Sequence, residues 1–321
     1  MRQQAFEQAH AAEWQAFEAQ LGRASRRAPE AASLEAFPER YRRLCHHLAL
    51  AQERRYTSGL VERLHDLVAR GHAVLYAGGG GLWRSWGSFL RGGLARQIRA
   101  RRGAVLLASA LFFLPQLLLP LAIRRNPEVA FLVEEPRELA RYEAMYRGEG
   151  GRFGREGQAD TDLAMFGHYV WNNVRVSFQC FASGLFLGVG SAFYLLWNGL
   201  HGGAVAGHLI RVGLGPSFGS FVATHSAFEL PALILCGAAG LGLGAAVAAP
   251  GRRGRLHALQ QAVRDHAGLV YAAAFLDLLA AGLEAFWSAS AAVPPGAKLA
   301  AGAALWTAGA AYVLFAGRRH A

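Results

Sequence analysis

The chain has 321 residues, of which 53% are apolar and 17% charged, and its mean hydropathy is +0.18. It is too apolar for a disordered chain, and its charged fraction is below the quarter that is typical of soluble domains. Three widely spaced cysteines, Cys45, Cys180 and Cys236, exclude a disulfide-stapled scaffold. The net charge is +11, of which +8 lies in residues 1–102. Because long apolar segments follow and no nucleic-acid motif is present, we expect a lipid bilayer and not nucleic acid as the partner.

Residues 1–102 are predicted to form a cytoplasmic helical region that ends in a basic interfacial helix. Apolar residues between positions 37 and 67 recur at spacings of three and four, which gives each helix one face for packing in a small bundle. Glycines at 78–81 predict a hinge, and no Lys-Ser/Thr follows them to make a phosphate loop. Trp83 and Trp86 then share an apolar helical face with arginines interspersed, and this pattern favours a position at the lipid interface over packing against the protein body.

The first transmembrane helix is predicted at residues 103–123, an uncharged segment about 30 Å long as a helix. Residues 124–168 follow as a translocated loop with a helical part, and residues 169–321 form the main membrane domain. Further spans are predicted at 174–197, 268–291 and 298–316. The apolar region 201–249 is interrupted by glycines and a proline between 213 and 219. We interpret it as a short helix that carries Arg211, a break, and a longer helix from about residue 220.

Basic residues set the expected orientation through the positive-inside rule. Arginines precede the first span, lie at 252–264 and follow the last span, whereas residues 124–168 hold more acids than arginines. The fold class is therefore predicted as all-α, a polytopic helical membrane protein of about six spans with one broken or re-entrant segment. The termini are expected in the cytoplasm and the protein in the inner membrane. The first hundred residues contain no early apolar segment of the kind found in signal peptides, so no signal peptide is expected.

Polar side chains in or beside apolar membrane segments are the candidate functional residues, because burying them there is costly. They are His225, Glu229, Glu284, Asp277, Asn172, Asn173, Asn198 and Arg211. His225 and Glu229 are four residues apart and Asp277 and Glu284 seven, so each pair shares one helical face. We expect these faces to point into the bundle and bring His225, Glu229 and Glu284 together.

Three interpretations of these residues stay open: a polar clamp between helices, a proton or ion pathway, and a metal or hydrolase site. The His-x-x-x-Glu order supplies at most two metal ligands, and neither HExxH nor G-x-S-x-G is present. No catalytic residue, cofactor or metal is therefore expected. Glycines repeated every four residues, as at 199, 203 and 207, favour close helix packing, within the chain or in a homodimer.

An ordered set of residues resembles the stage II sporulation protein M family over positions 166–290, and more loosely in the N-terminal helices. The set comprises Phe166, Asn172-Asn173, Val176, Phe181-Ala182, Gly184, Gly188, Asn198-Gly199, Gly203, the segment 225–230 and the segment 280–286. The resemblance implies a multi-span helical membrane protein with no established catalytic activity. The namesake works with peptidoglycan-degrading partners during engulfment, and other members occur beside MoxR-type ATPases and RDD-type membrane proteins.

The leading hypothesis from the sequence is a bacterial, non-enzymatic membrane scaffold or subunit of a cell-envelope complex. It would dock other membrane or envelope proteins through its cytoplasmic helices and translocated loop. The alternative is a transporter or channel that uses the buried His/Glu site, since interrupted helices often build sites near the middle of the bilayer.

Overall fold

A computed structural model describes residues 3–24, 37–76, 82–147 and 161–318, and the regular elements within these ranges are helices. The chain divides into two compact units, Met1–Phe89 and Leu90–Ala321. The division falls inside the segment predicted as a basic interfacial helix and not at residue 102. The predicted hinge at 78–81 and the side chain of Trp83 lie outside the described residues.

The N-terminal unit packs three amphipathic helices and carries a fourth short one. They are α1 (Gln3–Ala24), α2 (Phe37–Glu53), α3 (Ser58–Tyr76) and α4 (Leu82–Ser88). Its core takes side chains from the first three helices, with Phe6 from α1, Phe37 from α2 and Leu64 from α3 each at most 2% exposed. The apolar faces predicted from the spacing in α2 and α3 are the faces that are buried.

An aromatic and histidine cluster lies in this core. His47 is buried, and the indole Nε1–H of Trp14 donates to its Nδ1 over 3.2 Å. The ring of His10 lies 3.9 Å away, centroid to centroid. Burial, together with the nearby His10, lowers the pKa of His47 from its ordinary value of 6.5. The folded N-terminal unit therefore favours a neutral imidazole at this position.

The N-terminal unit is expected to lose stability in mild acid. Because the pKa of His47 is lower in the folded than in the unfolded chain, its contribution is complete above pH 6.5 and declines as the pH falls below that value. Amide exchange of α1 and α2 in the full chain, corrected for intrinsic rates, should be faster at about pH 5 than at about pH 7.5. The His47→Gln variant should lose this difference, and the variant of an exposed histidine, His65→Gln, should keep it. Equal protection of the wild type at both pH values would contradict the prediction.

The second unit is a helical bundle in which long helices predominate. Its α-helices are α5 (Leu94–Ala100), α6 (Arg102–Arg125), α7 (Pro136–Tyr146), α8 (Asp162–Ala182), α9 (Val189–Arg211), α10 (Gly215–Ala248), α11 (Arg255–Leu283) and α12 (Pro295–Phe315). A π-helical turn, Glu284–Ser288, continues α11. Four helices in the described ranges are long and apolar enough to cross a membrane: α6, α10, α11 with its π turn, and α12. The protein is thus a helical membrane protein, as predicted.

The predicted spans at 103–123 and 298–316 correspond to α6 and α12, and the span at 268–291 lies largely within the longer α11. The span predicted at 174–197 is wrong, because α8 ends at Ala182 and α9 begins at Val189. The intervening turn is itself apolar, with Phe186 75% exposed, so hydropathy gives no sign of the chain reversal. The break at Gly188, whose φ is +83°, is the local signal of the turn.

The region 201–249 is broken as predicted, but the break is shorter and the second helix begins earlier. Helix α9 continues to Arg211 and α10 begins at Gly215, so the break covers residues 212–214, whereas the prediction extended it to residue 219. Gly213 has a φ of +84°, a backbone conformation that glycine adopts at low energetic cost and other residues do not. The predicted short helix is therefore the C-terminal half of a 23-residue helix.

Close glycine contacts fix the directions of the helices. Gly199 of α9 meets Phe112 of α6, and Gly207 of α9 meets Ile123 of α6, so these two helices run in the same direction. Gly240, near the end of α10, meets Ser191 near the start of α9, so those two helices are antiparallel. The repeated glycines of α9 and α10 thus serve packing within the chain, and homodimerisation stays a prediction.

Candidate functional site

Five helices, α6 and α8–α11, line an open cavity of about 180 Å³ in the second unit. We call it the polar cavity. Phe112, Val176, Leu230 and Leu233 form its apolar lining. Its polar lining consists of Gln116, Asn172, Asn173, Ser177, Asn198, His201, Glu229 and Asp277. Polar side chains so deep in an apolar bundle are costly, which marks this cavity as the candidate site.

One end of the cavity leads to the segment that contains α7, and we call this end the α7 side. His201 lines the cavity, and its side chain is 38% exposed. Its Nδ1 lies 2.5 Å from Glu134 Oε1 and its Nε2 3.3 Å from the Tyr142 hydroxyl. His208, about two turns further along α9, pairs with Glu143 over 2.8 Å. The hydrogen bond from His208 lowers the pKa of Glu143, which keeps this surface carboxylate charged.

The opposite end of the cavity is closed by apolar side chains. Phe112 and Leu233 belong both to the cavity wall and to a buried cluster beyond it. That cluster is completed by Ala108, Cys180, Leu195, Ile234 and Ala238. Polar groups therefore continue from the cavity toward the α7 side, and a packed apolar layer lies on the other side.

Asp277 is the most deeply buried acid of the site. It is 0% exposed, and neither of its carboxylate oxygens has a hydrogen-bond partner among the described residues, although Ser177 lies beside it. The side-chain nitrogen of Asn173 is likewise without a partner. A buried polar group without a partner costs about 1–3 kcal/mol, and more when it is charged. These two side chains do not form the satisfied network that a purely structural polar clamp requires.

Next to the cavity, His225, Glu229 and Glu284 come together as their spacing predicts. One potential ligand atom from each lies within 4.8 Å of the others, and His225 Nε2 is 3.9 Å from Glu229 Oε2. His225 Nδ1 lies 2.9 Å from the Ser288 hydroxyl. The π turn sets both Glu284 and Ser288 against α10, and such turns occur frequently at functional sites. We call these three residues the His225 cluster.

Of the eight candidate residues, the structure brings seven together and leaves one apart. Asn172, Asn173, Asn198, Glu229 and Asp277 line the polar cavity, and His225 and Glu284 join it through Glu229. Arg211 is exposed at the end of α9 and belongs to neither group.

Sequence reasoning missed several polar residues of this region. Gln116 was hidden inside the first predicted span, where its polar side chain could have been noticed. In the sequence, His201 lies at the start of an apolar region and Ser288 within an apolar span, so neither stands out. Lys298, the sole lysine of the sequence, is 1% exposed and donates from Nζ to the carbonyls of Ser288 and Ser290, each over 2.8 Å. A lysine at the start of an apolar span was the available signal for it.

The bundle and its buried polar site define an integral membrane protein, and comparison with protein families identifies the family. The model of stage II sporulation protein M matches residues 126–289, just over half of the chain. The chain belongs to the stage II sporulation protein M family. A domain of unknown function (DUF8413) matches residues 4–77, so the N-terminal helices, which resembled the family loosely, fall outside the family match. No curated protein and no solved structure matches the chain.

Proposed function

We propose that the membrane domain carries protons or cations through the polar cavity. The observation that supports this is the pair of carboxylates, Glu229 and Asp277, that line one cavity in the interior of the bundle. Among the residues that line it, none is a lysine or arginine that would neutralise them. Intramembrane acids without a fixed counter-charge are typical of ion and proton pathways. The transporter alternative of the sequence analysis therefore fits this geometry better than a polar clamp does.

The orientation we propose has six crossings, by α6 and α8–α12. Besides the α6–α9 and α9–α10 contacts, Tyr146 packs on Phe221 near the start of α10, and Arg99 bonds the carbonyl of Ala316 after α12. These contacts make successive helices alternate in direction, although α8 and α9 are not among the four helices that are apolar enough by themselves to cross a membrane. The positive-inside rule then puts the α7 side outside the cytoplasm of an inner-membrane protein. The polar cavity would open outward.

The proposed mechanism uses charge exchange on the two acids. A carboxylate in a low-dielectric interior is stable when it is protonated or paired with a cation, so either ion is taken up from the α7 side. The amides of Asn172 and Asn198 can replace part of the ion's hydration. Passage beyond the apolar cluster requires helix movement, and the break at 212–214 and Pro231 within α10 are the flexible points that allow it.

Ion movement in liposomes tests the proposal. The full chain reconstituted with an internal pH-sensitive dye should show proton or cation uptake driven by a membrane potential. The Glu229→Gln variant should lose that uptake, because a neutral amide of the same shape cannot exchange charge. The control, Glu135→Gln, changes an exposed acid outside the bundle and should leave uptake unchanged. No uptake by the wild type under any imposed gradient would overturn the proposal.

A non-enzymatic scaffold in the cell envelope is the second candidate. It is supported by the separate N-terminal unit, which has its own core and its own family match. Such a unit gives a membrane protein a cytoplasmic surface on which a MoxR-type ATPase or another envelope protein could dock. In this case the membrane domain would show no ion movement, which is the outcome that separates the two candidates.

A further inference from the structure

We propose that the His225 cluster binds a divalent first-row transition-metal ion, with His225 Nε2 and one oxygen each from Glu229 and Glu284 as ligands. The inference deepens the proposed function by naming the class of ion. It rests on the proposed function in one respect, because the ion would reach the cluster through the polar cavity. Binding itself can be measured without transport. Two helices supply the ligands: α10 carries His225 and Glu229, and the π turn after α11 carries Glu284.

The ligand geometry fits such an ion. The three ligand atoms lie within 4.8 Å of one another. An ion bound at about 2.1 Å from each holds its ligands at most about 4.2 Å apart, so a small rotamer adjustment closes the site. An imidazole with two carboxylates is the donor set of zinc, cobalt and manganese sites, whereas magnesium and calcium prefer oxygen alone.

Ser288 provides the orientation that a metal-binding histidine needs. A ligating imidazole usually donates its second N–H to a fixed oxygen, which holds the ring and leaves the other nitrogen for the metal. His225 Nδ1 lies 2.9 Å from the Ser288 hydroxyl, and its Nε2 points toward Glu229. Lys298 fixes the backbone at this point by bonding the Ser288 carbonyl.

Charge and unpartnered groups point to the same occupant. When Glu229 and Glu284 are both deprotonated they carry two negative charges, and a divalent cation bound between them neutralises both. Asn173, which is 4% exposed, lies beside Glu284, and its side-chain nitrogen makes no well-formed hydrogen bond among the described residues. Asp277, also without such a bond, faces the cavity that Glu229 shares, and it offers a further negative group on the approach. A hydrated cation bound at the His225 cluster would place a positive charge and its water ligands near Asn173 and Asp277.

Cobalt titration of the full chain in detergent, after chelator treatment, tests the inference. We expect one Co²⁺ per chain in a site that His225→Gln or Glu284→Gln abolishes, and an X-ray absorption spectrum with one imidazole nitrogen among oxygen ligands. Ser288→Ala should keep the site but weaken it by about tenfold to a hundredfold, because it removes only the orienting oxygen. His65→Gln and Glu135→Gln change exposed side chains outside the cluster, serve as controls, and should change nothing.

The outcomes separate this inference from the proposed function. Folded variants, judged by elution profile and thermal unfolding, that keep the same bound Co²⁺ would overturn the metal site, as would a wild type that binds none. Proton uptake without Co²⁺ binding would overturn the metal site and support the proposed function. Stoichiometric Co²⁺ binding without ion movement would support the metal site and overturn the proposed function.

Discussion

Replacing Asp277 with leucine is expected to stabilise the protein and to stop ion movement at the same time. The carboxylate is fully buried and, although Ser177 lies beside it, makes no well-formed hydrogen bond among the described residues, so its desolvation cost is poorly compensated. Removing a buried polar group of this kind should raise the free energy of unfolding by about 1–3 kcal/mol. The adjoining polar cavity leaves room for the larger side chain. Thermal unfolding measures the change in stability and liposome uptake measures the loss of ion movement, both on the same preparation.

The matched control for this prediction is Asp265→Asn on the same helix. Asp265 is exposed, and Gln261 donates to its carboxylate over 2.9 Å, so the change should alter stability by less than about 0.5 kcal/mol and leave ion uptake intact. A polar clamp between helices predicts the reverse for Asp277, namely a loss of stability when the carboxylate is removed. A destabilised Asp277→Leu protein with normal uptake would therefore count against the site as we describe it.

Replacing Gly240 with leucine is expected to destabilise the bundle strongly. A side chain there would run into the Ser191 hydroxyl and the backbone carbonyls of Cys180 and Phe181, at the point where α8, α9 and α10 meet. Backbone atoms cannot move aside as a flexible side chain can. The free energy of unfolding should therefore fall by at least about 1–3 kcal/mol, the loss that is typical of overpacking. Thermal unfolding in one detergent measures the loss.

A second glycine of the same helix provides the control for Gly240. Nothing lies within 4 Å of a side-chain carbon built at Gly219, and its φ is not in the left-handed region. Gly219→Ala should therefore be neutral or stabilise the helix by up to about 1 kcal/mol, because alanine restricts the unfolded chain. If both substitutions have the same small effect, the close approach of the three helices at Gly240 is not what holds them.

Parts of this fold were predictable from the sequence because the length of apolar runs and the spacing of apolar residues determine them. An uncharged run of sufficient length identifies α6, and the spacing of apolar residues identifies the buried faces of α2 and α3. The four-residue spacing of His225 and Glu229 placed both on one face of α10. That Glu284 would meet them followed from the cost of exposing an acid to lipid.

The turn between α8 and α9 was not predictable by the same means. Hydropathy reports whether residues prefer lipid to water, and Leu185, Phe186 and Leu187 prefer lipid although the chain reverses there. The polar cavity was also hidden, because it needs Gln116 from a helix that reads as uniformly apolar. Arg211, which the sequence places in an apolar stretch, lies at the exposed end of α9.

Water access to Asn198 tests most directly whether the site is an aqueous path into the membrane or a dry packing contact. In a Cys45→Ser background, with Cys180 and Cys236 buried, Asn198→Cys in lipid nanodiscs is treated with a small charged thiol reagent. Only a hydrated thiolate reacts, so it should react at least about tenfold faster than Leu195→Cys, which lies three residues away in the apolar cluster. Equal, slow reaction at both positions would contradict the account.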